Sequence, residues 1–322
     1  MNPLIHNPIG LNVVQEKKIN TINTVFFAGS WATRYEERCQ DMQRVFEGVI
    51  KSDSDLLIAD RNFYKKEPSF KYPEQYSKYI IPEFNHLVLQ KIHKLFDWNI
   101  NLNSIKYSST MCAMRVYELQ ALGSLLLSNY SKAVVNKFPN VFIINNKENV
   151  SAILSSYSNK EKYEMKVRGI RNVLSGGTVF DRILYIAELL KIDINGKIED
   201  TVVILCKRES EEIRKMFDEQ TYKKKILMTV GDFLLKRVDQ YKYLTFFSPK
   251  YEYGPYYIED MMNCFKFVNV AYVTKLSSYD EEEKLEGVSH NFVNKFKDKY
   301  STIFNLRKIK FTEIKSKQLE NR

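Results

Sequence analysis

Short apolar runs alternate with amphipathic segments over the first 145 residues of the chain. Two of these runs are typical of buried strands: residues 23–29 (NTVFFAG) and 55–60 (DLLIAD). Each has a central stretch of β-branched, aliphatic or aromatic residues and ends at a residue that favours a turn, Gly29 or Asp60. Between them, apolar side chains recur at the spacing of a helix: Cys39, Met42, Val45, Phe46 and Val49. The alternation continues with a helix at 84–96, a helix that begins near Thr110, and strands at 99–105, 124–130 and 140–145.

Strands that alternate with helices in this way are joined by crossover connections, which align neighbouring strands in parallel. The pattern therefore predicts an α/β fold: a Rossmann-like, doubly wound parallel sheet with helices on both faces. Residues 148–190 then become helical, and a turn-rich linker at 193–200 leads to a second, smaller α/β domain. Its strands are predicted at 201–206, 225–230, 243–248 and 270–275.

These patterns divide the chain into five segments. They are a connector (1–20), a first α/β domain (21–147), a helical connection (148–198), a second α/β domain (199–305) and a basic tail (306–322).

Composition agrees with a folded protein, and its excess of positive charge indicates which kinds of partner to expect. The 322 residues include 44% hydrophobic and 13% aromatic residues, enough to build packed cores. Lysine and arginine outnumber aspartate and glutamate by 49 to 39, which gives a net charge of +10. This excess favours anionic partners such as phosphates, nucleotides, acidic polymers or nucleic acid, although an ordinary basic surface explains it equally well.

Cysteine use and hydropathy exclude several classes of protein. The four cysteines lie far apart and form no C-x-x-C pair, so neither a zinc site nor a disulfide framework is expected. We expect reduced thiols in a cytosolic protein instead. No apolar run approaches about 18 residues, so no membrane span is expected. The first residues, MNPLIHNPIGLN, are neither basic nor apolar enough for a signal peptide.

Candidate binding residues follow the predicted strands at their carboxyl ends. In an open parallel sheet, ligands bind beyond these ends, where loops lead into helices. Gly29 and Ser30 would expose backbone N–H donors there, in a place suited to phosphate oxygens. Arg34 and Arg61 could add positive charge.

A second group of candidates surrounds one helix, in the stretch TMCAMRVYELQALG. Ser108 and Thr110 supply hydroxyls and caps for this helix, and Arg115 and Glu118 share one of its faces. The guanidinium could clamp a diphosphate, and the carboxylate one turn later could accept both hydroxyls of a ribose. The alternative is a solvated helix pair, worth only about 0.2–0.5 kcal/mol. Gly123 permits a tight turn into the next strand.

Several motifs carry a resemblance to a known family. They are FAGSW, ADR, NINLN, SSTMCAMRVYELQALGSLLLSNYS and the FP that follows, and together they cover residues 2–145. In this order they resemble the C-terminal, nucleotide-sugar-binding domain of GT-B glycosyltransferases of group 1, and most of all the CgeB/YkvP-like spore-maturation proteins. RNVLSGGTVFDRI is similar to the helix that ends such domains, with Gly177 where a histidine is common.

The resemblance implies a nucleotide-sugar donor site in the first domain. Arg115 would contact the donor diphosphate, Glu118 the ribose, and the loop at Gly29 and Ser30 the phosphates or the transferred sugar. The motif S-x-T-M also places Met111, with Ser108 and Thr110, in the donor-binding loop. Such enzymes need no bound metal or other cofactor. The family implies a cytoplasmic protein, in the mother cell or at the spore surface.

Two departures from the family pattern weaken an enzymatic interpretation. A complete GT-B enzyme carries its acceptor site and often its catalytic base in a preceding Rossmann domain, and this chain begins where the connector between the domains should lie. The second domain resembles a GT-A-like module whose metal-binding aspartates are replaced by Ser248, Pro249, Lys250 and Tyr251. We therefore expect no metal there. We expect the second domain to contribute to stability, to dock a partner or to bind a glycan through YEYGPYY. Half-buried packing explains the tyrosines of this motif equally well.

Three functions remain open on the sequence alone. The first is a glycosyltransferase that modifies a spore or cell-surface layer, with a glycan or protein acceptor and with a partner protein or the second domain supplying the acceptor site. The second is a non-catalytic, degenerate transferase fold that binds a nucleotide-sugar or glycan. The third, nucleic-acid binding, rests on net charge alone and lacks a basic motif with interleaved aromatics, so we do not expect it.

Overall fold

The computed structural model describes residues 22–192, 200–235, 240–280, 283–285 and 292–316. The chain divides into two compact units between Asp181 and Arg182. Three of the predicted segments lie wholly or partly outside the described residues: the connector (1–20), most of the linker that follows residue 192, and the end of the basic tail (317–322). Among the described residues, no helix has both the length and the apolar character to cross a membrane.

The first unit is built on a six-stranded sheet in which every neighbouring pair is parallel. Its strands run in the order β3-β2-β1-β4-β5-β6. This is the strand order of a doubly wound Rossmann fold, and it confirms the predicted fold class. The strands are β1 (Ile22–Gly29), β2 (Asp55–Asp60), β3 (Ile80–Pro82), β4 (Phe96–Asn101), β5 (Leu125–Ser128) and β6 (Phe142–Ile143).

Helices cover both faces of this sheet. They are α1 (Glu36–Ile50), α2 (His86–His93), α3 (Met114–Ala121), α4 (Lys132–Lys137), α5 (Glu148–Ser155) and α6 (Asn159–Leu174), with short 3₁₀ helices at Pro68–Phe70 and Glu74–Tyr79. The next helix, α7 (Val179–Leu189), contains the boundary between the two units. Side chains alternate along β1, so that Val25 and Phe27 join the core under α1 and α5. Phe26 and Ala28 enter the core on the opposite face, against residues of α2.

Two strands of the first unit differ from their predicted positions. β4 begins at Phe96 rather than at residue 99, because Phe96, Trp98 and Ile100 provide the buried alternation and the chain after Asn101 turns into a loop. β3 was not predicted, because it has only three residues, lies at the sheet edge and ends at a proline. The tight turn expected at Gly123 is confirmed, since this residue has φ +70° and directly follows α3.

The second unit contains a mixed five-stranded sheet in the order β10-β13-β9-β7-β8. β7, β8 and β9 are parallel, whereas β13 and β10 are antiparallel to their neighbours. The strands are β7 (Val202–Cys206), β8 (Lys225–Thr229), β9 (Tyr243–Phe246), β10 (Tyr272–Thr274) and β13 (Thr302–Asn305), with a separate antiparallel pair, β11 (Ser278–Asp280) and β12 (Glu283–Leu285). The helices are α8 (Glu211–Glu219), α9 (Val230–Leu235), α10 (Tyr257–Phe265) and α11 (Phe311–Ser316), and Lys299–Ser301 is a 3₁₀ helix.

The segment expected to be a basic tail packs against the second unit up to its last described residues. Ile309 and Ile314 are buried in the same core as Phe304 of β13. The lysines that dominate the composition of this segment alternate with these apolar residues, so the segment is amphipathic rather than uniformly polar. Neither β13 nor α11 was predicted.

A close helix approach in the first unit yields a test of this packing. A Cβ atom at Gly48 of α1 would lie 2.5 Å from Val150 Cγ2 and 2.8 Å from the Lys147 backbone oxygen. We expect Gly48→Ala to lower the free energy of unfolding by about 1–3 kcal/mol, because overpacking outweighs the better helix propensity of alanine. Urea unfolding followed by circular dichroism measures this change.

Gly176→Ala is the matched control, because a Cβ atom there meets no atom within 4 Å. This control should leave stability nearly unchanged. A Gly48→Ala variant as stable as the wild type would contradict the described packing of α1 on α5.

Candidate functional site

The sheet of the first unit has one topological switch point, between β1 and β4. These strands are neighbours, but the chain leaves β1 toward β2 on one side and leaves β4 toward β5 on the other. The two connections therefore diverge and leave a crevice beyond the carboxyl ends of the strands, at Gly29 and Asn101.

A cleft of about 510 Å³ lies at this point. Seven of the nine predicted site residues line it: Gly29, Ser30, Arg34, Arg61, Met111, Arg115 and Glu118. The strand order brings them together, because the carboxyl ends of parallel strands lie at one edge of the sheet. Residues that the sequence did not indicate complete the lining: Ala32, Tyr35, Arg38, Phe70, Leu102, Asn103, Ser104, Ile105, Cys112, Ala113 and Met114.

Ser108 and Thr110 do not line the cleft or cap the helix as expected. The Ser108 Oγ accepts hydrogen bonds from the backbone N–H groups of Thr110 (3.3 Å) and Met111 (3.1 Å), so it stabilises the loop before α3. The helix begins at Met114, with Ala113 as its N-cap residue and no side-chain cap.

Arg115 is the central cation of the cleft. Its side chain is half-buried, with its guanidinium carbon 5.7 Å from the centre of the Phe27 ring. Within the described part of the chain, this guanidinium has no hydrogen-bond acceptor and no ion-pair partner. Burial and then repulsion from Arg38 lower the pKa of Arg115 to about 10, so that it remains charged at neutral pH.

Arg38 was missed by the sequence analysis. It donates a hydrogen bond from Nη1 to the Ser30 carbonyl oxygen at 3.0 Å, and burial lowers its pKa. Arg34 lies in the turn before α1 and Arg38 in its first turn, so the two share no helix face that local spacing could have indicated. Tyr72 holds the same loop by donating its hydroxyl to the Gly29 carbonyl oxygen at 3.3 Å.

The charge of the cleft is strongly unbalanced. Four arginines line it, and Glu118 is the one carboxylate among the residues that do so. The Glu118 Oε1 lies 3.9 Å from His86 Nε2. Convergent guanidinium groups repel each other, and a bound anion relieves this repulsion while it accepts their hydrogen bonds. The cleft is therefore suited to an anionic ligand with a polar group near Glu118.

Buried amide side chains fix the position of α3 relative to the strands. Asn103 follows β4, and its Oδ1 accepts a hydrogen bond from the Ala113 N–H at 2.9 Å. Its Nδ2 donates to Asn129 Oδ1 at 3.2 Å, and Asn129 Nδ2 donates to Asp41 Oδ2 at 2.8 Å. This network connects the ends of β4 and β5 with α1 and with the first turn of α3, which carries Arg115.

Asp41 anchors this network as a charged group. Burial alone would raise the pKa of its carboxyl, but hydrogen bonds from Asn129, Lys106 and Arg44 outweigh burial and lower it. Lys106 Nζ lies 2.9 Å from Asp41 Oδ2, and Arg44 Nη1 lies 2.7 Å from Asp41 Oδ1. The carboxylate is therefore ionised and paired at neutral pH.

Neither histidine of α2 lines the cleft. His93 is buried, its Nδ1 lies 2.6 Å from Asn99 Oδ1, and burial lowers its pKa to about 3. It is therefore neutral at physiological pH and inaccessible to a ligand. His86 is close to Glu118, but it does not line the cleft.

The tyrosines of the second unit divide into two groups. Tyr253 and Tyr257 are buried, and Tyr253 stacks on Phe247 at a ring separation of 3.9 Å, as the packing interpretation expects. Tyr251 and Tyr256 are 40% and 43% exposed. Among the described residues, no group of three or more histidine, cysteine, aspartate or glutamate side chains could hold a metal ion.

Comparison with known proteins adds little to this geometry. No family model matches the chain, and no curated protein matches it. Among solved structures, the apo structure of OtsA matches at 10% identity and a TM-score of 0.40, over 57% of this chain and 49% of its own. The as-isolated, nickel-free crystal structure of carbon monoxide dehydrogenase from Thermococcus sp. AM4, produced without the CooC maturase, matches at 12% identity and a TM-score of 0.21, over 68% of this chain and 36% of its own.

The chain thus spans half or less of the length of these two structures. Scores this low carry no argument about function, and the assignment of a Rossmann-like fold rests on the strand order of the first unit.

The amide network predicts the effect of one substitution. Asn103→Ala removes the acceptor for the Ala113 N–H and leaves Asn129 partly unsatisfied, so we expect a loss of about 1–3 kcal/mol in the free energy of unfolding. Urea unfolding measures it, with Asn159→Ala at an exposed position of α6 as the control. Equal stability of the two variants would show that the network does not hold α3.

Proposed function

We propose that the cleft binds the diphosphate of a nucleotide-sugar and that the protein is a glycosyltransferase of the GT-B type. One observation carries this proposal: the unpaired Arg115 guanidinium stands at the switch point of a Rossmann-like sheet, one turn before Glu118. The family resemblance implies a donor-binding role for these same two residues.

In this proposal, the diphosphate and the ribose of the donor each have complementary groups in the cleft. The diphosphate lies between the backbone at Gly29–Ser30 and the guanidinium groups of Arg115 and Arg38. Glu118 accepts hydrogen bonds from the ribose hydroxyls, because an ionised carboxylate offers only acceptor sites. The arginines would also stabilise the charge that develops on the leaving diphosphate, which is the contribution that a metal makes in other transferases.

The remaining features of the proposed activity rest on the family resemblance. They are a glycan or protein acceptor, an acceptor site supplied by the second unit or by a partner protein, and a cytoplasmic setting in the maturation of a spore or cell-surface layer. No cofactor beyond the nucleotide-sugar substrate is proposed.

A second candidate is a protein that binds the nucleotide-sugar without transferring the sugar. This alternative is favoured by the composition of the cleft lining, which contains no histidine and only one carboxylate, Glu118. If Glu118 binds ribose, no histidine or second carboxylate among the described lining residues is left to act as a general base.

Calorimetric titration with UDP-, GDP- and TDP-sugars tests the donor site. We expect one of these donors to bind the wild-type protein, and Glu118→Ala and Arg115→Ala each to weaken binding by about 1–3 kcal/mol, because each leaves a ligand group unpaired. Arg168→Ala, at an exposed position of α6, is the control for the loss of a positive charge and should bind as the wild type does.

The outcomes distinguish the two candidates. Absence of binding by every donor would overturn the donor site itself. Binding that depends on Glu118 and Arg115, without hydrolysis or transfer in the presence of candidate acceptors and partner proteins, would favour the non-catalytic protein.

A further inference from the structure

The cleft carries more positive charge than a donor diphosphate requires. In the proposed donor complex, Arg38 and Arg115 hold the diphosphate, and the two other lining arginines, Arg34 and Arg61, are left without a ligand group. Each phosphate of such a linkage carries about one negative charge, so the diphosphate balances only half of the lining guanidinium groups. Glu118, the one carboxylate among the lining residues, lies at the ribose. The charge of the other two arginines therefore has no counterpart in the diphosphate or the ribose.

Arg34 and Arg61 lie on the β2 side of the switch point. Arg61 directly follows β2, and its backbone N–H donates to the Gly29 carbonyl oxygen at 2.9 Å. Arg34 lies in the turn between β1 and α1, where the Thr33 N–H donates to the Ser69 carbonyl oxygen at 3.0 Å, in the connection between β2 and β3. Because β2 pairs with β1 on the edge away from β4, both arginines stand on the side of β1 that is opposite the crevice with β4.

The proposed nucleoside end of the cleft lies in the other direction. Glu118 belongs to α3, which connects β4 with β5. Lys137 Nζ of α4 donates to the Thr110 carbonyl oxygen at 3.2 Å, which holds the loop before α3 on the β5 side. Met111 and Met114 line the cleft here and are 59% and 52% exposed, so they offer an apolar surface to a neutral base. With the base and the ribose at this end, the transferred sugar extends across the loop after β1 toward the other two arginines.

The protein itself does not neutralise these two arginines. Among the residues that the structure describes, neither Arg34 nor Arg61 has an ion-pair partner, and the Arg34 guanidinium carbon lies 4.8 Å from the centre of the Tyr35 ring. Asp60 directly precedes Arg61, but its Oδ1 accepts a hydrogen bond from the Asn62 N–H at 2.9 Å, and burial raises the pKa of its carboxyl. Both guanidinium groups are exposed and available to an anion.

We propose that the transferred sugar carries a carboxylate, which Arg34 and Arg61 bind, so that the donor is a nucleotide-linked uronic acid. This inference rests on the proposed donor site. Guanidinium groups bind carboxylates through paired, charge-assisted hydrogen bonds. Because Arg61 adjoins Gly29, the anionic group must be attached close to the diphosphate. A carboxylate on the sugar meets this requirement, whereas a phosphate on the acceptor would lie beyond the sugar.

Matched pairs of donors isolate the contribution of the carboxylate. UDP-glucuronate differs from UDP-glucose, and GDP-mannuronate from GDP-mannose, in having a carboxylate where the neutral sugar has a hydroxymethyl group. We expect calorimetric titration of the full chain to show about tenfold tighter binding of the acidic member of whichever pair binds, because hydrogen bonds between charged groups are the stronger ones. This preference should decrease in ~1 M NaCl, because both arginines are exposed and salt screens them.

Substitution of the two arginines tests whether they cause the preference. Arg34→Gln and Arg61→Gln should each reduce it to less than about threefold, while the affinity for the neutral donor stays within about twofold of the wild type, because only the acidic sugar pairs with these groups. Arg61→Lys should retain part of the preference, since it keeps the charge and loses the paired geometry. Arg168→Gln, at an exposed position of α6, is the control for a positive charge lost elsewhere and should keep the full preference.

The outcomes separate this inference from the donor site on which it rests. Equal affinity for acidic and neutral donors would overturn the inference and leave the donor site intact. So would an Arg61→Gln variant that weakens both donors equally, since the arginine would then belong to the diphosphate site. A preference that survives both glutamine substitutions would also overturn the assignment. Absence of binding by every UDP-, GDP- and TDP-sugar would overturn the donor site itself, and this inference with it.

Discussion

The hydrogen bond from the Ala113 N–H to Asn103 Oδ1 determines where α3 begins, and with it the position of the candidate site. Asn103 is held in turn by Asn129, which is bound to Asp41 on α1. All three side chains are buried, so each polar group must find a partner within the protein. The requirement to satisfy these groups ties two strand ends and two helices together at the switch point, and Arg115 is placed as a consequence.

This arrangement combines a well-satisfied polar network with an unsatisfied charge beside it. Asp41 is paired by Lys106 and Arg44, whereas Arg115 has no carboxylate or carbonyl partner among the described residues. Burial of an unpaired guanidinium is unfavourable, and structural arginines are normally paired. The contrast supports a ligand-binding role for Arg115, because an anionic ligand would provide the pairing that the protein does not.

The sequence allowed prediction of most strands and helices of the first unit and of the sheet edge that carries the cleft, because strands that alternate with helices are joined by crossovers and run parallel. β3 was missed because it is a three-residue edge strand that ends at a proline. The site predictions that placed Arg115 and Glu118 on one helix face needed only local spacing. Arg38 and Asn103 were missed because their roles depend on the path of loops that local spacing does not specify.

A crystal structure of the protein with UDP, or with the diphosphate of whichever nucleotide binds, is the decisive test of the donor site. We expect the diphosphate to lie between the Gly29–Ser30 backbone and the Arg115 guanidinium, with the ribose hydroxyls on Glu118. A nucleotide bound elsewhere, or bound in the cleft with its phosphates directed away from Arg115, would contradict it.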